Sequence, residues 1–167
     1  MTMIKTLLLI VFLVLLLAWY LSFLAGRLDR LHHRVETSWE HLDALLQRRA
    51  AIALEISHSE EIDPATGMLL MAAAYQAREA NIIERNEAET SLSETLRLLS
   101  KEAKNEIGGT LLGELERVTE KIALAVTIHL EAVNSARALR SKIIFRIFRL
   151  AGHAPLPVRY SFEDDII

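Results

Sequence analysis

The fold is decided by residues 28–56, which read LDRLHHRVETSWEHLDALLQRRAAIALEI. Apolar side chains recur here every three or four residues, which is the spacing of one face of an α-helix. This stripe consists of Leu28, Leu31, Val35, Trp39, Leu42, Leu46, Arg49, Ile52 and Ile56, with Arg49 as its single charged member. The pattern is close to the heptad repeat of coiled coils and predicts a long helix packed against other helices.

An uncharged apolar run precedes this helix. From Thr6 to Gly26 there is no charged side chain, and residues 7–25 read LLLIVFLVLLLAWYLSFLA. A helix of that length rises about 31 Å, the thickness of a bilayer's hydrocarbon core. The run is too long for the apolar region of a signal peptide, and Phe23 stands where cleavage needs a small residue. We therefore expect residues 1–26 to be an uncleaved transmembrane anchor that continues into the following helix.

Two more helical patterns follow the first. Asp63–Pro64 is a favourable helix start, because Asp is a good N-cap and Pro is tolerated at the first helical position. The second helix is expected over about 64–86 and the third over about 88–106. The expected inner faces are Met68, Leu69, Met71, Ala72, Tyr75 and Ile82 in the second helix, and Leu92, Leu96 and Leu99 in the third. Since no strong breaker separates them, they are either two helices or one bent rod.

The last helical pattern begins after a turn predicted at Gly108–Gly109. Its stripe consists of Leu111, Leu115, Val118, Ile122, Ala125, His129, Ala132, Ala136, Leu139, Ile143, Ile147 and Leu150. We predict an all-α protein: a transmembrane helix continuing into an antiparallel bundle of four helices, or of three long ones, over residues 27–152. Pro155 and Pro157 end the last helix, so residues 153–167 are expected to be an extended or disordered tail.

Basic residues flank the predicted membrane segment on one side. They are Arg27, Arg30 and Arg34 after the anchor, and Arg137, Arg140, Lys142, Arg146 and Arg149 near the end of the last helix. Only Lys5 and the terminal amine lie on the other side, so the positive-inside rule places the N-terminus outside and the bundle in the cytoplasm. The basic residues either meet anionic lipid at the membrane surface or form a solvated face without lipid contact.

Signatures of catalysis are missing from the sequence. There is no cysteine, no phosphate-binding glycine loop and no nucleophile elbow. The adjacent His32 and His33 point about 100° apart on a helix and cannot chelate one metal together. His129 lies on an apolar stripe, where a hydrogen-bonded core histidine is the simpler interpretation than a metal ligand. We expect no enzymatic activity, no cofactor and no nucleic-acid binding.

The anchor itself carries a face of small residues. Ala18, Ser22 and Gly26 are spaced four residues apart, which is a pattern of close helix–helix contact in membranes. Self-association through this face would make the protein a homo-oligomer.

The segment LHHRVETSWEHLDALLQRRAAI, residues 31–52, resembles the signature of the LemA family of bacterial proteins. The matching residues are Arg34, Val35, Trp39, Leu42, Asp43, Leu46, Arg48 and Arg49. A second matching segment is TEKIALAVTIHLEAVN, through Thr119, Glu120, Ile122, Ala123, Ala132 and Val133, and AYQAR and RYSFE fit the family's middle and end. The resemblance implies a membrane-anchored helical bundle of undefined biochemical activity, accessory to envelope proteins.

The chain departs from the family pattern at several polar positions. Val126 stands in place of an arginine, and the segment after Arg49 lacks the family's Asp and Pro. Trp39 is expected in the core against the last helix rather than on a ligand platform. Asp43 and Arg49 each need an oppositely charged partner on another helix if they are buried, and Glu120 is the candidate for Arg48 or Arg49.

Two functions fit these features. The first is a membrane-tethered scaffold, in which the groove between helices or the acidic half binds a protein. That half, residues 55–120, holds 14 acidic and 6 basic side chains, a net charge of 6 − 14 = −8. The second is a membrane-bound sensor that binds a small ligand or lipid and acts through its oligomeric state.

Overall fold

The computed structural model describes residues 2–81, 84–102 and 109–141. Within these ranges the chain forms four α-helices and no strand. They are α1 at Thr2–Ser57, α2 at Pro64–Glu79, α3 at Arg85–Glu102 and α4 at Gly109–Arg140. The all-α class is therefore confirmed, and α2 and α3 are two separate helices.

The described residues divide into two compact units. The terminal unit comprises residues 2–37 and 131–141, and the bundle unit comprises residues 38–81, 84–102 and 109–130. Both α1 and α4 contribute to each unit.

Contacts between α1 and α2 define the first turn of the bundle unit. The Gln47 side-chain amide donates a hydrogen bond to the Arg78 carbonyl, at 3.2 Å. A Cβ atom placed on Gly67 would lie 2.9 Å from the Ser57 carbonyl oxygen. Since the later residue of α1 meets the earlier residue of α2, these helices are antiparallel.

Side-chain pairs orient the other two helices of the bundle unit. Asp43 pairs with Arg85 and Arg49 with Glu89, so α3 runs parallel to α1. Ser38 contacts His129, whereas Arg48 contacts Glu114, so α4 runs antiparallel to α1. The bundle unit thus has the up–down–up–down topology that the amphipathic patterns predicted.

The core of the bundle unit combines large aliphatic side chains with many alanines. Most residues of the predicted stripes of α1 and α3 are inside, including Leu42, Leu46 and Leu92 without exposed area, whereas Trp39 and Leu96 are partly buried. The buried alanines are Ala50, Ala53, Ala73, Ala74, Ala77, Ala80, Ala88 and Ala125. Small side chains let the helix backbones approach closely.

The predicted inner face of α2 is wrong. Met68, Leu69 and Tyr75 are 67%, 66% and 47% exposed, Ala72 is also exposed and Met71 is only partly buried. The buried face consists of Gly67, Leu70, Ala73, Ala74 and Ala77. Both faces are apolar at helical spacing, but α1 approaches the start of α2 so closely that a Cβ on Gly67 would lie 2.9 Å from the Ser57 carbonyl oxygen, so the face that contains Gly67 is the buried one. Ile82, the last residue of the predicted face, lies outside the described residues.

Helix ends follow local hydrogen-bonding rules. Asp63 accepts hydrogen bonds from the Ala65 and Thr66 amides at 3.0 and 3.2 Å, with Pro64 at the first position of α2, as predicted. The Asn81 side chain accepts a hydrogen bond from the Glu84 amide at 3.1 Å, directly before α3 begins at Arg85. An Asn three residues before a Glu is a signal of a helix N-terminus, and the sequence carries it at Asn81 and Glu84.

The terminal unit contains the apolar half of α1. Every side chain from Met3 to Tyr20 is exposed. Further along, Leu24 and Leu28 pack against Leu139 of α4, and Leu31 joins them at the edge. Arg34 lies 3.7 Å from Glu131, so α1 and α4 are antiparallel in this unit too.

Two described helices are long and apolar enough to cross a membrane, at Met3–Ser57 and Thr110–Arg140. In the most apolar 18-residue stretch of the first helix only 6% is buried within the protein, compared with 44% in the corresponding stretch of the second helix. The first helix is the one that the sequence predicted as the anchor. The predicted extension of α4 beyond Ser141 and the tail at residues 153–167 fall outside the described residues.

Candidate functional site

Four charged side chains form a network inside the bundle unit: Asp43 and Arg49 of α1, and Arg85 and Glu89 of α3. Nη2 of Arg49 lies 2.5 Å from Oε2 of Glu89, and both side chains are almost fully buried. Nη2 of Arg85 lies 2.5 Å from Oδ1 of Asp43, and its Nη1 lies 3.8 Å from Oε1 of Glu89. Arg85 also donates a hydrogen bond to the Ala77 carbonyl at 3.1 Å, so the network joins three helices.

The network carries two positive and two negative charges. Burial raises the pKa of Glu89, and the neighbouring guanidinium groups of Arg49 and Arg85 partly offset that effect. Removing charges from water costs several kcal/mol per ion, which only close opposite charges and hydrogen bonds return. Since the pairs here are short and balanced, the arrangement fits a structural connection between helices.

The structure corrects the partners predicted for the two arginines. Glu120 is exposed, whereas Arg49 pairs with Glu89 of α3 and Arg48 pairs with Glu114 of α4. The Arg48 pair lies at the surface, where solvent screens ion pairs and they contribute little to stability. The predicted need for partners on other helices is nevertheless confirmed for Asp43 and Arg49.

Arg85 and Glu89 were not among the residues predicted to form a site. Both continue the apolar stripe of α3 toward its start, since Glu89 precedes Leu92 by three residues and Arg85 precedes Glu89 by four. A charged residue on an apolar stripe is the same signal that Arg49 gives on α1. The stripe of α3 therefore already contained the missing half of the network.

A second polar contact joins α1 to α4. A hydrogen bond of 2.9 Å links Oγ of Ser38 and Nδ1 of His129, and burial lowers the pKa of His129. The Trp39 ring lies beside the imidazole, with 5.6 Å between ring centroids. His129 is thus the hydrogen-bonded core histidine that was predicted. Trp39 does contact the last helix, but it is only partly buried.

The remaining signature residues take ordinary structural positions. Leu42, Leu46 and Ile122 are buried in the core, and Val35 is partly buried. The Thr119 hydroxyl donates a hydrogen bond to the Leu115 carbonyl one turn earlier in α4, at 2.9 Å. Of the signature residues, only Asp43 and Arg49 belong to the charge network.

The predicted membrane-surface residues are only partly described. Arg27, Arg30 and Arg34 are exposed on α1 just beyond the apolar segment. Ala18, Ser22 and Gly26 are also exposed within or at the end of that segment. Lys142, Arg146 and Arg149 lie outside the described residues.

Within the described ranges no three His, Asp or Glu side chains come close enough to hold a metal ion. Comparisons with protein-family models, with curated proteins and with solved structures gave no significant match. The described helices and their core define the class of the protein: an all-α helical bundle with a long apolar N-terminal helix.

Proposed function

We propose that this protein is a membrane-tethered helical bundle that binds another protein and catalyses no reaction. The observation that carries the proposal is the continuity of α1 from Thr2 to Ser57. Its first part is uncharged and exposed, whereas its last part supplies buried core residues such as Leu42 and Ile52. A helix of this kind suits a protein held at a bilayer by its N-terminus.

We propose a single span, with the N-terminus outside and the bundle in the cytoplasm. Arg27, Arg30 and Arg34 follow the apolar segment, and Lys5 alone precedes it among lysines and arginines, which favours this orientation. α4 is the poorer candidate for a span because it carries the buried His129 and pairs through Glu114 with Arg48. The resemblance to the LemA family supports the proposal that this span lies in the inner membrane of a bacterium.

The orientation is tested with single cysteines, since the chain has none of its own. Thr2→Cys and Glu60→Cys variants are exposed in whole cells to a membrane-impermeant thiol reagent. We expect labelling of Cys at position 2 in intact cells, and at position 60 only after permeabilisation. Labelling at position 60 alone in intact cells contradicts the orientation.

The outward face of α2 supports a protein partner. Met68, Leu69 and Tyr75 expose large apolar side chains in this short helix. Exposed apolar residues grouped on one element are typical of interaction surfaces in proteins. We call these three residues the α2 outer face and propose that they contact the partner.

The partner is tested by photocrosslinking in intact membranes. A photoreactive amino acid replaces Met68 or Tyr75 in the full chain, and Glu87, exposed on α3, is the matched control position. We expect mass spectrometry to identify one protein captured from both α2 positions and not from position 87. Capture of only a second copy of this chain favours the oligomeric sensor instead, and equal capture from all three positions contradicts a specific surface.

A further inference from the structure

The terminal unit contains a cleft between α1 and α4. Its volume is about 470 Å³, and its lining residues are Arg27, Arg30, Leu31, Ser135, Ala138 and Leu139. Each helix contributes residues at positions i, i+3 or i+4, so the lining side chains of each helix share one face. The cleft thus has two guanidinium groups and a hydroxyl beside an apolar wall.

The two arginines of the cleft differ from the next arginine along α1. Within the described part of the chain, neither Arg27 nor Arg30 forms an ion pair with a carboxylate, whereas Arg34 pairs with Glu131. Guanidinium groups form strong charge-assisted hydrogen bonds with phosphate oxygens, often two at a time. An anion with several oxygens would therefore complete the polar side of the cleft.

The apolar side of the cleft indicates a ligand that has an apolar part as well as an anionic group. Leu31, Ala138 and Leu139 offer a surface that an inorganic ion does not use, but that glycerol and the first carbons of an acyl chain would cover. The chemistry of the lining thus fits an amphipathic ligand with a phosphate at one end.

The position of the cleft along α1 matches a lipid headgroup. Arg27 directly follows the uncharged segment, and Arg30 lies about 4.5 Å further along the helix axis. The headgroup layer on each side of a bilayer is about 5–7 Å thick. Arg34, about 12 Å beyond Gly26 along the axis, lies past that layer. Leu139 packs against Leu24 and Leu28, so α4 also reaches the end of the apolar segment.

We propose that this cleft binds the phosphate of an anionic glycerophospholipid. Arg27, Arg30 and the Ser135 hydroxyl contact the phosphate oxygens, and Leu31, Ala138 and Leu139 contact the glycerol and upper acyl carbons. The proposal rests on the membrane tether proposed above. A zwitterionic choline headgroup binds less well, because its cationic end meets the same two guanidinium groups.

Native mass spectrometry of the full chain in detergent micelles tests the cleft. The probes are phosphatidylglycerol, phosphatidylcholine and inorganic phosphate, titrated separately. We expect phosphatidylglycerol to bind at one molecule per chain and at least tenfold more tightly than either of the other two. Equal binding of phosphatidylcholine, or binding of inorganic phosphate without phosphatidylglycerol, overturns the proposal.

Matched variants separate the cleft from general charge attraction. Arg30→Gln and Arg34→Gln remove the same charge from the same helix, one turn apart, and only Arg30 lines the cleft. We expect Arg30→Gln to weaken phosphatidylglycerol binding at least tenfold and Arg34→Gln less than twofold. Ala138→Phe fills the cleft without changing charge and should also weaken binding. Equal effects of Arg30→Gln and Arg34→Gln, or no effect of Ala138→Phe, contradict a defined site.

The experiments distinguish failure of the proposed lipid binding from failure of the proposed membrane attachment. Retention of the chain in membranes at alkaline pH reports on the apolar segment and not on Arg27 or Arg30. A chain that stays in the membrane but binds no phosphatidylglycerol disproves lipid binding in the cleft and leaves the membrane attachment standing. A chain that leaves the membrane disproves the tether.

Discussion

Single residues in the bundle unit show how charge is tolerated in an apolar core. Arg49 and Glu89 are both inside, and each has the other as its nearest opposite charge. Glu89→Gln should destabilise the protein by about 3–5 kcal/mol, because it leaves the Arg49 charge buried without a carboxylate. Denaturant unfolding of the full chain in detergent, followed by circular dichroism, measures this loss.

A paired replacement is the control for that prediction. In the Arg49→Met, Glu89→Met double variant both charges disappear, and Arg85 keeps Asp43 and the Ala77 carbonyl as partners. Replacing a whole buried ion pair by apolar groups is often neutral or stabilising by about 1–4 kcal/mol. A double variant as unstable as Glu89→Gln contradicts the assignment of the loss to an unpaired charge.

His129 should make stability depend on pH. Burial lowers the pKa of His129 below its ordinary value of 6.5, so the folded protein favours the neutral side chain more than the unfolded chain does. Its contribution is fully present above pH 6.5 and is lost as pH falls through the lowered pKa. Melting temperatures measured from about pH 7 to about pH 5 should therefore fall more steeply for the parent than for His129→Gln. Identical slopes contradict the burial of a neutral histidine.

At the scale of the helices, the contact between α1 and α2 depends on a missing side chain. A Cβ on Gly67 would come within 2.9 Å of the Ser57 carbonyl oxygen, which is backbone and cannot turn away. Gly67→Ala should therefore cost about 1–3 kcal/mol through forced separation of the two helices. Thermal unfolding by circular dichroism measures the effect.

Gly113 is the matched control on α4. The nearest atom to an added Cβ there is Arg117 Nη2, at 4.0 Å. Gly113→Ala should stabilise the protein by up to about 1 kcal/mol, because alanine is the better helix former. If both substitutions have the same sign, the close approach at Gly67 is not the cause.

The helices also show what a sequence pattern can and cannot predict. The stripe of α1 was predictable because from Leu28 to Ile56 its residues recur every three or four positions among charged and polar ones, and that stripe included the buried Arg49. The buried face of α2 was not predictable. Met68 and Tyr75 on one face recur at a helical spacing as regular as that of Leu70 and Ala74 on the other. How closely another helix approaches decides between them, and that distance depends on residues far away in the chain.

At the scale of the whole molecule, we predict that the apolar part of α1 holds the protein in the membrane. Leu13→Arg combined with Leu16→Arg places two charges in the middle of the proposed span, at a cost of about 5–7 kcal/mol in a bilayer. We expect the parent to stay in the membrane fraction at alkaline pH and the double variant to move to the soluble fraction.

Leu69→Arg is the control for this comparison. It adds a charge at an exposed apolar residue of α2, outside the apolar segment. We expect it to remain in the membrane fraction. If the double variant also remains there, residues 6–26 are not what holds the protein to the membrane.

The charge network has a consequence for how the bundle avoids misalignment. Apolar side chains that recur at every turn of a helix specify the axial position of that helix weakly. A slip of α3 along α1 by one turn, about 5.4 Å, would still leave leucines facing the core, because Leu92, Leu96 and Leu99 are spaced three or four residues apart. The same slip would carry Arg49 away from Glu89 and Arg85 away from Asp43, stranding charges in the core. The network thus favours one axial position of α3 along α1 over several others that apolar packing alone would leave close in energy.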